Sequence, residues 1–428
     1  MASIRYLTGI TTTGTPHLGN YVGALRPAVE ASRRPGTENF YFLADYHALI
    51  KCDEPARVQR STMEIAACWL ATGLDPEQVT FYRQSDIPDI PELTWLLTCV
   101  TGKGLLNRAH AYKAMVDKNH AAGADPDTDV TAGLFMYPVL MAADILMFKA
   151  HRIPVGRDQV QHIEMCRDIA ASFNHLYGEL LVLPEAQVDE SVALLPGTDG
   201  RKMSKSYDNV IPLFAPREQL RRQVMAIVTD SRAPGEPKPV EGSSLFQIYE
   251  AFASAEETAA LRRAYAEGIA WSEAKQMLFE RIDREIAPMR ERYDALMANP
   301  AELEKVLRRG AEKARALATP TMAQLRAAVG LRSLADAAQA QPRAKSAKAQ
   351  LPSFKQYREA DGLHYFKLVD SDGRLLVQGA GLPSPQEAGR AVASLKGGDL
   401  AGLGHAFHLA DGATEADLRT ALARLTAP

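Results

Sequence analysis

An alternation confined to the first half of the chain limits the fold more than any other feature. Short apolar runs (IRYLTGI, NFYFLADYHAL, VTFYRQSD) take turns with amphipathic stretches such as GNYVGALRPAVEASRR and a helix predicted near Val58 to Gly73. Strands separated by helix-length connections cannot pair as hairpins. They predict a parallel sheet with right-handed crossovers and helices on both faces. The expectation is an α/β, Rossmann-like doubly wound domain over residues 1–210. Past Ile211 the strand signal stops. EQLRRQVMAIVTD, SEAKQMLFERIDREIAPMRERYDALM and AELEKVLRRGAEKARALA repeat apolar positions at helical spacing, which predicts an all-helical domain over 211–332. Residues 333–350, rich in Ala, Gln and basic side chains, read as a linker. From 351 to 428, near-alternating apolar positions are broken by Asp-Gly pairs at 361–362 and 372–373, before a helix around Pro385 to Leu395. That pattern predicts a small α+β appendage. A chain of 428 residues exceeds what one hydrophobic core usually serves, in keeping with several domains.

Bulk composition excludes more than it assigns. A net charge of -3 with 24% charged residues means that a polynucleotide partner would need a local basic patch. The appendage carries eight Lys/Arg against nine Asp/Glu, so its composition does not argue for RNA. Cys52, Cys68, Cys99 and Cys166 lie far apart without a CxxC pair. They read as reduced structural thiols of a cytoplasmic protein, with no zinc or iron–sulfur site expected. MASIRYLTGI lacks the parts of a signal peptide. The longest apolar stretch, Leu134 to Phe148, is too short to span a bilayer and carries Asp144, so no membrane role is expected.

Two segments carry nucleotide chemistry. In TGITTTGTPHLGN (Thr8 to Asn20) a strand ends in a Gly- and Thr-rich turn and enters a helix. Glycines let backbone approach a ligand, and free N–H groups at a helix N-terminus favour phosphate, although such junctions also occur where the chain only has to turn. In GRKMSKSYDN (Gly200 to Asn209) a polar loop bears Lys202 and Lys205. Loop cations can close over a triphosphate and neutralise charge growing on leaving pyrophosphate, whereas a plain solvated loop is the alternative. The HLGN core resembles the HIGH signature of class I aminoacyl-tRNA synthetases, with His17 at its first histidine and Asn20 replacing the second, as in the tryptophan and tyrosine branch. KMSKS is identical to the second signature of the same family. Nucleotide-transferring relatives with only the first motif lack this loop, so the two together are more specific than either alone.

A third constellation is GLFMYPVLMAADILMF followed by RIPVGRDQVQHIEMCRDIA. A carboxylate in an apolar run must meet a donor, so Asp144 needs a partner, for which a helix cap or a neighbouring arginine would suffice. The segment resembles the amino-acid pocket of the tryptophan-specific members, which implies that Asp144 accepts the indole N–H. Such a site rejects phenylalanine by leaving a buried carboxylate unpaired. By the same resemblance Tyr137 and Gln159 hold the substrate amino group, Met141 and Val155 pack the indole, and His47 lines the pocket.

Implied ATP contacts are Thr11, Thr12, Thr13, Gly19 and Asn20 from the first motif, and Gly156, Arg157 and Asp158 from the third, with Asp158 toward the ribose. Leu195, Lys202, Met203, Ser204, Lys205 and Ser206 supply the rest. The family often has Gln-Pro-Ser where Thr11 to Thr13 stand, which leaves backbone contacts as the firmer expectation there. His17, Lys113, Lys202 and Lys205 are the implied catalytic residues.

The resemblance covers residues 4 to 331 and leaves the appendage unassigned. It implies a homodimeric ligase acting on L-tryptophan, ATP with Mg²⁺ and tRNA(Trp), without a protein-bound metal. Three rivals stand beside it: a tyrosine-specific enzyme on the same fold, a non-catalytic nucleotide- or tRNA-binding regulator, and a nucleotidylyltransferase acting without RNA. Asp144, the intact pair of motifs and the long helical region argue against each in turn.

Overall fold

A computed structural model describes residues 3–12, 14–188, 195–331, 351–398 and 406–426. The predicted linker 333–350 and Thr13 lie outside the described residues. The chain divides into two compact units, Met1–Leu331 and Arg332–Pro428.

In the first unit, strands β1 (Ile4–Thr11), β2 (Thr37–Ala44), β3 (Thr80–Arg83), β4 (Arg152–Pro154) and β5 (Glu185–Gln187) form one parallel sheet in the order β3-β2-β1-β4-β5. β2 shows why the strands read as continuous apolar runs. Its Tyr41 and Leu43 enter one core with Ile65 and Trp69 of helix Pro55–Ala71. Phe40 and Phe42 enter the other with Val139 and Leu146 of helix Ala132–Met147 and Ile163 of helix Val160–Tyr177. A strand covered on both faces has no polar side to alternate with.

Helices Arg217–Met225, Ser244–Phe252, Ala255–Ala266, Trp271–Ala298 and Pro300–Ala328 follow. They share the same two cores: Leu278 and Ile282 join the first, and Ala314 and Met322 the second. Helix Pro300–Ala328 lies so close to β3 that a Cβ on Gly310 would stand 1.6 Å from the Phe81 carbonyl oxygen. Only glycine allows that approach.

The order reversal at β1 sets the position of the site. β2 and β3 lie to one side of it and β4 and β5 to the other, so the loops leaving β1 and β4 open a crevice at the carboxyl ends of the strands. No described helix is long and apolar enough to cross a membrane. The four cysteines are free, with Cys99 exposed and the others buried.

In the second unit β6 (Ser353–Arg358), β7 (His364–Val369), β8 (Leu375–Gly379) and β9 (Phe407–Leu409) form an antiparallel sheet in chain order. Phe366, Leu368 and Val377 pack against Val392 and Leu395 of helix Pro385–Lys396 and Leu418 and Leu422 of helix Glu415–Thr426. The Asp-Gly breaks separate the first three strands as the sequence predicts. β9 and the last helix are additions to that reading. Three residues of strand after a long connection leave too short a pattern to read.

Candidate active site

The turn after β1 approaches the second motif closely. Gly14 has φ +105°, its N–H donates to Ser61 Oγ at 2.9 Å, and a Cβ there would stand 3.0 Å from Lys205 Nζ. Of the threonines, Thr11 is exposed and Thr12 is buried, its hydroxyl without a hydrogen-bond partner among the described residues. His17 then caps the first turn, Leu18–Asn20, reciprocally. Its ring accepts from Asn20 N–H at 3.3 Å, and Asn20 Oδ1 accepts from His17 N–H at 3.1 Å. A π-helical turn, Tyr21–Leu25, precedes helix Arg26–Ser32, where the sequence suggests regular helix.

Backbone pairing joins motifs about 185 residues apart. Leu18 N–H donates to Ile211 O at 2.9 Å, and Leu213 N–H donates to Pro16 O at 3.0 Å. The KMSKS loop is therefore tethered at its exit to the HLGN turn. Its entry is fixed by Met203 N–H donating to Leu195 O at 2.9 Å. Asn209, almost fully buried, braces the interior: its Oδ1 accepts from Ser204 N–H, and its Nδ2 donates to Asp199 Oδ1 and the Lys202 carbonyl. Ser204 caps the turn Lys205–Tyr207, with Ser206 bonded to its hydroxyl. Gly19 passes against the His17 ring and within reach of Met203 Sδ.

Burial, then the positive charge of Lys205, lowers His17 from 6.5 to about 4, so its imidazole is neutral at pH 7. Burial also lowers the Lys205 ammonium, with Glu64 opposing that shift and Arg57 adding to it. Lys202 is exposed.

The third constellation converges on Asp144, wholly buried on helix Ala132–Met147. Neither a cap nor an arginine satisfies it. His47 Nε2 reaches Oδ2 at 2.9 Å, and Gln84 Nε2 donates to Oδ1 at 2.7 Å. Gln84 Oε1 accepts from Tyr46 N–H at 3.0 Å, which orients the amide and links it to the turn bearing His47. Burial pushes the Asp144 carboxyl up, while His47 and Gln84 hold it down. Tyr137 OH lies 2.5 Å from His162 Nε2, and its ring meets His47 edge-on at 6.3 Å. Met141 and Val155 are partly buried against the same core. After β4, Gly156 starts the short turn Arg157–Gln159, with Asp158 curled back over it and accepting from Gln159 Nε2 at 2.8 Å.

Residues 1–286 match the family described as tRNA synthetases class I (W and Y). The chain belongs to that family. It is 66% identical over 391 residues to the tryptophan–tRNA ligase of Xanthomonas campestris, covering 91% of each chain. To that of Pseudomonas aeruginosa it is 60% identical over 411 residues, covering 95% of this chain and 92% of the relative. Among solved structures, the tryptophanyl-tRNA synthetase of Campylobacter jejuni complexed with ADP and tryptophan superposes with a TM-score of 0.71. The identity is 40% over 77% of this chain and all of that one.

Within this class I fold, the structure brings His17, Gly19, Asn20, Met203 and Lys205 together. It gathers His47, Tyr137 and Asp144 around a second centre. Lys113 is exposed on helix His110–Ala121, and no hydrogen bond or ion pair between described residues joins it to either group. Arg157 is likewise exposed.

Three residues that sequence reading passes over belong to the site's support: Gln84, Ser61 and Glu64. Gln84 carried one faint signal, a polar residue ending the apolar run VTFYR, which on a parallel strand points to the carboxyl end. Ser61 and Glu64 lie on an amphipathic helix where nothing marks them. A carboxylate has roughly four lone-pair sites, so Asp144 can accept a third donor beyond His47 and Gln84. Among the described residues no group of three or more His, Cys, Asp or Glu is arranged to hold a metal ion.

Proposed function

We propose that this chain activates L-tryptophan with MgATP and esterifies it onto tRNA(Trp). Substrate carboxylate attacks the α-phosphorus in line, the bond to the β-phosphate oxygen breaks, and pyrophosphate leaves. The 3′ adenosine hydroxyl then displaces AMP from the adenylate. Such chemistry asks for positioning and charge stabilisation and for no covalent enzyme intermediate.

The observation that carries the reading is Asp144, a fully buried carboxylate fixed by a histidine and a glutamine on a helix. A held acceptor of that kind selects a ligand with one N–H on a large ring, and discriminates against a ring lacking it. Tyr137 and Gln159 would take the amino group, and Met141 and Val155 the indole. The first motif and the Gly156 to Asp158 turn would cradle the nucleotide, its ribose toward Asp158. Lys202 and Lys205 would balance the charge of departing pyrophosphate, with Lys113 approaching the phosphates from its helix.

His17, neutral at pH 7, would act by donating a hydrogen bond and by ordering the helix terminus, with no cationic charge of its own. Mg²⁺ enters as part of the nucleotide substrate. We assign anticodon reading to the helical region 211–332, and a homodimer in the cytoplasm as the working form.

Amino-acid-dependent ATP–pyrophosphate exchange tests this, with tryptophan, tyrosine and phenylalanine at equal concentration. Exchange with tryptophan alone is expected. Preference for tyrosine would move the assignment to the sister enzymes, and no exchange would favour a binding paralogue.

A further inference from the structure

We infer that the face of the C-terminal sheet opposite its described helices binds unpaired RNA, engaging single-stranded nucleotides of the tRNA substrate. Helices Pro385–Lys396 and Glu415–Thr426 cover one face, that of Phe366, Leu368 and Val377. By strand alternation the opposite face carries the intervening residues. The register aligns Lys355, Lys367, Gln378 and His408 in one row across all four strands, with Tyr357 opposite Tyr365 alongside.

Two features of that row are hard to explain by folding. Lys355 and Lys367 are directly paired across strands, and like charges so placed destabilise a sheet. A lysine on the edge strand β6 can serve to block edge association, but Lys367 sits on the inner strand β7, where no edge needs blocking. Residues 351–428 carry nine acidic against eight basic residues, yet none of the four described strands contains an Asp or Glu. Cations have been segregated onto the sheet, and an anion lying across it relieves their repulsion.

The tyrosines define which anion. Their rings stack at 5.8 Å and 20°, and both hydroxyls are held, Tyr357 by Gln378 Nε2 at 2.8 Å and Tyr365 by Asp361 at 2.6 Å. Lys367 Nζ lies 5.4 Å from the Tyr357 ring centre. Fixed aromatic rings beside paired cations suit bases that stack while their phosphates meet ammonium groups. Gln378 and His408 add groups that can read base edges. A duplex keeps its bases stacked inside and cannot use the rings.

This inference rests on the tRNA reading above, and charging of tRNA(Trp) by the wild-type chain tests that reading separately. The test measures fluorescence anisotropy of the full chain with a labelled single-stranded RNA 12-mer, its duplex, and a tRNA(Trp) transcript. Tyr357→Ser/Tyr365→Ser should weaken single-strand binding by about tenfold or more. Lys355→Ser/Lys367→Ser should lower the slope of log affinity against log salt by roughly 1.4. Tyr→Phe and Lys→Arg at the same positions should keep the affinity, because stacking and charge survive. Arg390→Glu, on helix Pro385–Lys396, should leave it unchanged. Wild-type affinity and salt slope in the serine variants would overturn the assignment. So would equal binding of the duplex, or a loss in the conservative variants as deep as in the serine ones. Normal charging by the wild type beside unaltered RNA affinity in the variants would sink this inference and leave the ligase reading standing.

Discussion

His17 should set an acid limit on the stability of the catalytic unit. Its side chain belongs to a residue only 8% exposed, so solvent screens it little, and burial with the Lys205 charge lowers its pKa from 6.5 to about 4. Between those values the unfolded chain binds the proton and the native protein resists it, so stability falls as pH drops through the window. For one such group the loss is about 2 kcal/mol near pH 5 and about 3 kcal/mol near pH 4, and almost nothing above about pH 7.5.

His17→Gln retains a side-chain acceptor for the Asn20 N–H but cannot titrate, and should lose this acid penalty. Urea unfolding of wild type and variant, compared at about pH 7.5 and about pH 5, reads the difference. Trp69, Trp95 and Trp271 all lie in the first unit, so tryptophan fluorescence follows that unit alone. Wild type should lose about 2 kcal/mol more than the variant over that interval. Lys205→Met should narrow the gap by removing the second cause of the shift. Parallel pH profiles in wild type and His17→Gln would refute the argument.

Four further outcomes follow from the site. Asp144→Ala should lower kcat/KM for tryptophan by roughly 10- to 150-fold, the range of a hydrogen bond to a charged group, and change the KM for ATP far less. Equal loss for both substrates in exchange kinetics would count against the indole contact. Gln84→Leu takes one donor from Asp144 and an acceptor from Tyr46 N–H, so it should raise the carboxyl pKa and shift the acid limb of tryptophan binding to higher pH; an unmoved limb would show that Gln84 does not tune the carboxylate. Lys205→Ala should slow single-turnover adenylate formation by about 100-fold, and near-normal turnover would remove it from the mechanism. Deleting 351–428 should leave pyrophosphate exchange largely intact while raising the KM for tRNA, and complete loss of exchange in a folded core would refute the separation.

Much of this protein was legible in one dimension because its signals are local. Apolar runs such as NFYFLA are short and continuous because β2 is covered on both sides, and helical spacing after Ile211 marks faces that must be buried. HLGN and KMSKS are contiguous strings, so their chemistry could be read before any fold was known. In the appendage, the Asp-Gly turns and the first three strands were similarly visible, whereas the three residues of β9 were not.

Sequence alone determined that Asp144 must find a donor, since a carboxylate within MAADILMF cannot be buried unpaired. Tertiary structure decided that the donors are His47 and Gln84, which lie 97 and 60 residues away and meet it only because β2 and β3 end beside helix Ala132–Met147. The same division holds for charge. Lys205 could be assigned a task from its loop, but the neutrality of His17 depends on burial and on a lysine brought over Gly14 by pairing at Pro16 and Leu213. Lys355 and Lys367 are ordinary residues in a chain of balanced charge until strand register sets them opposite each other. Local pattern encodes what each segment must bury or expose; which distant groups meet there is a property of the packed chain.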